Sequence, residues 1–252
     1  MTGMNRASIC RWIAGLAFVA IAFGLVEAQF HLLRRLCGAA PLTQRELGME
    51  FLGRYLASQY PGKKVVVLAN PFSQQPGQTR DIYQFEKAGL QGLKRGLGKS
   101  VVIETVAYPE LKPGFVEDRR SVFIDPRTTT PLSFVVADEA LDKIAGEHPQ
   151  AELLVSLIGL PINVRHTETW KRTNPRKFAL LLPDLRMVGD EGAVREAISS
   201  GKIAAIVMNK PGAPPEDQPM GKDSKMEFDR RFLLVNRETI DRFLQVYPRL
   251  FR

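Results

Sequence analysis

The feature that most constrains this chain is a ladder of short apolar runs with loops of unequal length at their two ends. The runs are Val65–Ala69, Val101–Val106, Leu153–Ile158, Phe178–Leu182 and Ile203–Met208, with a sixth at Phe232–Val235. Apolar runs of this kind are expected where a parallel sheet is covered on both faces. The segments that enter them are tight turns such as Gly98-Lys99-Ser100 and Ser200-Gly201-Lys202. Several segments that leave them are long and irregular: Asn70–Arg80, Pro109–Pro131 and Asn209–Glu227. If the strands are parallel, all three emerge at the carboxyl edge, where open α/β sheets place their ligands.

Helical periodicity fills the intervals. From Asp81 onward, Ile82, Phe85, Gly89 and Leu93 share a face, and Gly89 allows close approach to the sheet. Ala137, Leu141 and Ile144 mark a second helix, and Asp190 caps a third with Val194, Ala197 and Ile198 turned inward. Asn236 caps a fourth, in which Ile240, Phe243, Leu244 and Tyr247 recur at helical spacing. Repeated β-α units imply right-handed crossovers. The predicted fold is α/β, a three-layer sandwich around a mostly parallel sheet of five or six strands, with residues 63–252 forming a single domain.

The chain has 252 residues, which leaves room for an extension before that domain. Arg6 and Arg11 precede the uncharged run Trp12–Val26, and Val26-Glu27-Ala28 offers a cleavage site after Ala28. This is the pattern of a secretory signal peptide. Left uncleaved, the segment is marginal as a membrane anchor, because crossing ~30 Å of hydrocarbon takes about 20 apolar residues. Residues 1–28 are therefore expected to export or anchor the chain, with the domain in the periplasm or held to the inner membrane outside the cytoplasm. Residues 29–62 form a helical connector: Thr43-Gln44-Arg45-Glu46 is a capping box, Leu47, Phe51, Leu52 and Tyr55 follow at helical spacing, and Tyr60-Pro61-Gly62 ends the helix. Such a helix packs on the domain edge, or alternatively lies along a membrane or meets a partner.

The net charge is +8, but Lys and Arg are interspersed with Asp and Glu and form no basic tract, so no nucleic-acid partner is expected. Cys10 and Cys37 provide no disulfide framework, and His31, His148 and His166 are too scattered to build a metal site with Cys37. Gly98-Lys99-Ser100 resembles the tail of a phosphate-binding loop, yet Leu93 stands where that loop needs glycine and the triplet precedes a strand rather than following one. No nucleophile elbow or glycine-rich dinucleotide fingerprint occurs. No cofactor and no metal are predicted.

What remains is the polar material at the carboxyl edge. Asn70, Ser73, Gln78, Thr79 and Arg80 lie on or after a proline-stiffened loop ahead of a helix N-terminus, a setting that can hold a carboxylate, a phosphate or a sugar hydroxyl. Asn163 and Arg165 follow the third run, Asp184 the fourth, and Asn209 and Lys210 the fifth. Each also has a plainer reading: Thr79 as a helix cap, Asp184 as a turn cap, the amides as solvated surface.

Val65–Asn70, the helix through Phe85 and Gly89, and Leu97-Gly98 before Val101 together resemble the first β-α-β unit of a single lobe of a type I periplasmic substrate-binding protein. The resemblance implies ligand contacts near Phe72 and Gln78. Those proteins clamp ligand between two similar lobes, and this chain is long enough for one, so closure would need a wall from a partner. The sequence thus points to an exported or membrane-tethered ligand- or partner-binding module of the cell envelope, its partner a small molecule or an envelope protein. The alternatives are an enzyme, a hydrolase or transferase with Asp184 or Ser73 at the carboxyl edge, and a structural component of an envelope assembly.

Overall fold

The computed structural model describes residues 43–248, so the expected leader, Cys10 and Cys37 lie outside the described residues. The strands are β1 (Lys64–Leu68), β2 (Val102–Ala107), β3 (Leu153–Ser156), β4 (Lys177–Leu181), β5 (Ile203–Asn209) and β6 (Phe232–Val235). They form one sheet in the order β2-β1-β3-β4-β5-β6. Every pairing from β2 to β5 is parallel, and β6 closes the far edge antiparallel to β5. The side chains of β3, and nearly all of those in β1, β4 and β5, are buried, as their unbroken apolar runs require. At the edge, β2 alternates exposed and half-buried residues over its first half.

Helices cover both faces. On one lie α1 (residues 43–59), α2 (Arg80–Leu97) and α7 (Ser224–Arg231); Phe51 of α1 stacks on Phe228 of α7 with ring centroids 4.2 Å apart. The other face carries α5 (Ala140–Glu147), α6 (Glu191–Ser199) and α8 (Ile240–Val246), and Arg195 of α6 pairs with Asp241 of α8 at 2.9 Å. The right-handed sense of β-α-β crossovers puts α2 on one face and α5 and α6 on the other, because β1 to β2 runs one way across the sheet and β2 to β5 the other. Two short helices, α3 (Pro113–Glu117) and α4 (Leu132–Val135), lie within the long segment after β2.

The contact between α1 and α2 is made backbone to backbone. A Cβ on Gly92 would lie 2.0 Å from the Glu46 carbonyl oxygen, and one on Gly96 would lie 2.1 Å from that of Glu50. The tightest glycine approach in α2 is thus to α1, whereas Gly89 touches the Arg45 side chain and Leu157. The buried face of α2 comprises Ala88, Gly89, Gly92, Leu93, Gly96 and Leu97, and Phe85, read from periodicity as inward, is exposed. The Arg45 guanidinium stands 4.1 Å from the centre of the Phe85 ring, a cation–π contact that accounts for an aromatic side chain on the outer surface.

Arg45 also carries a buried ion pair, 3.6 Å from Glu86, while donating to the Leu157 carbonyl at 3.0 Å. Glu86 in turn accepts the Asn70 N–H at 2.9 Å. Burial pushes both groups toward their neutral forms, taking Arg45 down to about 10 and Glu86 above the usual carboxylate range, and their mutual attraction offsets part of each shift. The pair fastens α1 and α2 to the carboxyl ends of β1 and β3.

Candidate functional site

The loop after β1 is occupied with its own closure. Asn70 accepts the Phe72 N–H through Oδ1 at 2.9 Å, and its carbonyl accepts the Ser73 hydroxyl at 2.7 Å. Gln78 donates to Gln75 at 3.4 Å. Thr79 occupies the N-cap of α2 without a side-chain capping bond, and Arg80 is exposed beside it. After β3, Asn163 donates to the Asp138 carbonyl at 2.9 Å, and Arg165 sits in a separate depression with Trp170 and Val188. Lys210 donates to the Asp229 carbonyl at 2.8 Å.

Strand order reverses between β1 and β3, the position at which a doubly wound sheet opens a crevice for ligand. Here it is filled. Leu68, Ser133, Val136, Gly159 and Leu160 enclose a void of only about 10 Å³. Gly159 has φ +82°, and a Cβ on it would lie 2.8 Å from Thr130, so the strand exit and the segment before α4 are in direct contact. That segment is tied down by Lys112 N–H to the Val135 carbonyl and Ala137 N–H to the Glu110 carbonyl, both at 2.8 Å, and by Ile162 N–H to the Ser133 carbonyl at 2.9 Å.

The open space lies two strands away, at the carboxyl ends of β4 and β5. A cleft of about 510 Å³ is lined by Arg127, Thr129, Leu182, Pro183, Asp184, Leu185, Arg186, Met208, Asn209 and Glu216. Of the ten residues singled out in the sequence, Asp184 and Asn209 line it together. Leu182 is the turning point: it leaves β4 with φ +45°, the left-handed region that costs a side-chain-bearing residue about 1–2 kcal/mol. Its N–H is fixed to the Val207 carbonyl at 2.8 Å, so the chain turns into Pro183-Asp184 while still bonded to β5.

Asp184 does more than cap the turn it begins. Its carboxylate accepts the Arg186 N–H at 3.1 Å, Arg186 Nε at 2.9 Å, Arg186 Nη2 at 2.5 Å and the Thr128 hydroxyl at 2.7 Å. Arg186 Nη1 donates to Asp125 at 2.7 Å, and Asp125 also holds Arg127 through Nε at 3.2 Å and Nη2 at 3.1 Å. Burial alone would push the Asp184 carboxyl up, but the bonds from Arg186 and Thr128 outweigh it and hold the group below the usual carboxylate range. Hydrogen bonds from Arg127 and Arg186 hold Asp125 lower still, and Asp184 and Asp125 raise Arg186. The four groups are fully ionised and mutually neutral.

The opposite wall is set by α7. Arg231 donates to the carbonyls of Pro214 at 3.3 Å, Pro215 at 3.1 Å and Gln218 at 2.9 Å, and Gln44 of α1 donates to the Glu216 carbonyl at 2.7 Å. The proline-rich segment after β5 is thereby pinned, with Glu216 on the cleft. The result is an apolar floor of Leu182, Leu185 and Met208 between polar walls whose charges are largely paired. Such a surface suits a small polar ligand with one apolar face. A carboxylate as saturated as that of Asp184 makes a poor proton acceptor.

In comparisons with solved structures, the chain is similar to the substrate-binding protein of a sugar ABC transport system from Bordetella parapertussis, at 12% identity and a TM-score of 0.44, covering 78% of this chain and 57% of that one. It is similar to an arabinose-binding protein from Geobacillus stearothermophilus at 11% identity and a TM-score of 0.43, covering 79% and 62%. A solute-binding protein of an ABC transporter from Mycobacterium smegmatis, with bound glycerol, gives 11% identity and a TM-score of 0.46, covering 80% and 61%. The chain spans less than two thirds of the length of each. Each is a partial likeness of fold. No protein-family model matches the chain, and no curated protein does.

Asp125, Arg127, Thr128, Thr129, Arg186 and Glu216 were not singled out in the sequence. A local signal existed for Arg186, two residues beyond Asp184, and for Asp125-Pro126-Arg127, an acid and a base across a proline. Nothing local signals that these two stretches meet, since 61 positions separate Asp125 from Arg186.

Proposed function

We propose that the chain is an exported or membrane-tethered ligand-binding module of the cell envelope, with a small polar ligand seated in the cleft between the carboxyl ends of β4 and β5. One observation carries this reading: the carboxyl edge is closed at the β1/β3 reversal and open at β4/β5, where a cleft of about 510 Å³ is framed by a left-handed Leu182 and the ionised Asp184–Arg186–Asp125–Arg127 cluster. Strained backbone beside an open cleft is a recurrent property of binding sites. Because the cluster charges are paired, the ligand class is uncharged and hydroxyl-rich or amide-rich, recognised by hydrogen bonds with Asn209 and Thr129 and by hydroxyl or amide donors of the ligand to the Glu216 carboxylate. The leader supports export: Arg6 and Arg11 ahead of Trp12–Val26.

A thermal-shift screen of the whole protein against monosaccharides, polyols, amino acids and dicarboxylates tests the proposal. A ligand at ~100 times its dissociation constant stabilises by about 2.7 kcal/mol, a rise of about 5–10 °C for a domain of this size. The expected result is such a rise with a neutral polar compound and its loss in Asn209→Trp, which replaces a lining amide with a bulky indole. A panel without effect, or a shift that survives Asn209→Trp, would overturn the proposal.

A further inference from the structure

The amino edge of the sheet carries a second opening of about 430 Å³, where the chain enters β4 and β5. Its lining includes Arg172, Arg176, Lys177, Lys202 and Arg237 and, among the described residues, contains no Asp or Glu. Scattered along the sequence, these cations are gathered by the fold because three separate connections reach the same edge.

Their partners are mostly backbone carbonyls. Arg176 donates to the carbonyls of Ala151 at 3.1 Å, Ala145 at 2.6 Å and His148 at 3.2 Å, and Lys177 donates to that of Gly201 at 3.2 Å. Lys202 is held by the carbonyls of Lys171, Asn174 and Arg176 at 3.0–3.1 Å. Arg172 reaches a carboxylate, that of Glu196, at 4.0 Å and in solvent. Carbonyls orient these groups without neutralising them. Burial, then the charges of Lys177 and Arg176, bring the Lys202 ammonium down to about 8.

Two of the charged heads converge. Gly201 has φ +78°, and a Cβ on it would lie 3.3 Å from Arg237 Nη2 and 3.4 Å from Lys177 Nζ. Two donors from different elements thus approach one point in a basin that no carboxylate of the described residues lines.

We infer that this basin binds a phosphate-bearing anion, with Lys177 and Arg237 as its principal contacts and Arg172 and Lys202 supplying further positive potential. A phosphate offers several acceptor oxygens around one centre, matching a point-charge ammonium beside a guanidinium fork. The volume exceeds that of a bare phosphate and leaves room for the group that carries it. The basin lies at the end of the strands away from the β4/β5 cleft, so the two sites fill independently and this inference stands or falls apart from the proposed function.

The phosphate has two sources to distinguish, a soluble compound and a lipid headgroup. The soluble arm is titration calorimetry of the whole protein with pyrophosphate. The lipid arm is cosedimentation with phosphatidylglycerol vesicles, read as the excess over phosphatidylcholine vesicles, which removes the charge-independent binding of the apolar N-terminal segment; the contribution of its arginines is common to both variants below. Lys177→Ala/Arg237→Ala is compared with Lys87→Ala/Lys94→Ala, which removes the same charge from the outer face of α2, and the thermal midpoint of each confirms folding. The inference expects the basin variant to weaken pyrophosphate binding at least about tenfold, or to abolish the phosphatidylglycerol excess, while the α2 variant stays near wild type. The arm that responds identifies the source. Equal losses in both variants, or no loss in the basin variant in either arm, would overturn it.

Discussion

Arg231, 2% exposed, donates from Nε to Glu227 Oε2 at 3.1 Å one turn earlier on the same helix, and the pair holds the segment after β5 against the cleft. Burial alone would raise the Glu227 carboxyl, and the hydrogen bonds from Arg230 and Arg231 bring it below its ordinary value instead. The remaining guanidinium donors reach Pro214, Pro215 and Gln218, so one buried cation organises a proline-rich stretch with no regular structure of its own.

Arg231→Met keeps much of the volume but leaves Glu227 and three carbonyls without that partner. Breaking a buried pair from one side costs about 3–5 kcal/mol. Urea unfolding is expected to show a loss in that range, with faster proteolysis between Lys210 and Asp223. A variant as stable and as resistant as wild type would mean the pair does not organise the segment.

Gly92→Ala places a methyl group 2.0 Å from the Glu46 carbonyl oxygen, so α1 must move away from α2. Overpacking of this kind costs about 1–3 kcal/mol and outweighs the gain in helix propensity. Gly146→Ala in α5, where an added Cβ meets nothing within 4 Å, is the control and is expected to be neutral or to stabilise by up to ~1 kcal/mol. Equal responses at the two positions would contradict the backbone contact.

Much of the architecture was legible because burial writes itself into composition. A strand covered on both faces must be apolar throughout, and β1, β3, β4 and β5 lie within about two residues of the runs read from the sequence. The tight entry turns and the Asp190 cap were legible for local reasons: Asp190 accepts the Ala193 N–H at 2.8 Å within its own helix turn. Periodicity misplaced Phe85 because it counts apolar residues and is blind to Arg45, whose guanidinium covers the ring from another helix. The site was harder to read. Which carboxyl-edge loop stays open depends on Thr130 meeting Gly159 and on Asp125 meeting Arg186, contacts between stretches that carry no mark of each other.

The Asp184 carboxyl also makes a pH prediction. A carboxyl whose folded pKa is depressed contributes stability above its unfolded value of about 3.9 and loses it as the pH falls through the folded value. Asp184→Asn is expected to cost about 1–3 kcal/mol at pH 7, the worth of hydrogen bonds to a charged group. The gap from wild type should then narrow as the pH falls below about 4. Urea midpoints at neutral pH and in acid check this, and a gap of constant size would refute it.

Leu182→Gly separates the cleft from the core. Relief of the left-handed backbone, about 1–2 kcal/mol, offsets the lost contacts of a half-buried side chain, so net stability should change by less than about 1 kcal/mol while ligand affinity falls. Leu181→Gly, one residue earlier inside β4 and 2% exposed, is expected to lose at least about 3 kcal/mol. Equal losses would show that Leu182 is an ordinary core position.

The most direct test of the account is a crystal structure of the whole protein with the compound that gives the largest thermal shift. Density against Leu182, Asp184 and Asn209, with the compound within hydrogen-bonding distance of Thr129 or Glu216, is the predicted result. Density at the β1/β3 reversal among Asn70, Gln78 and Gly159, with the β4/β5 cleft empty, would contradict it.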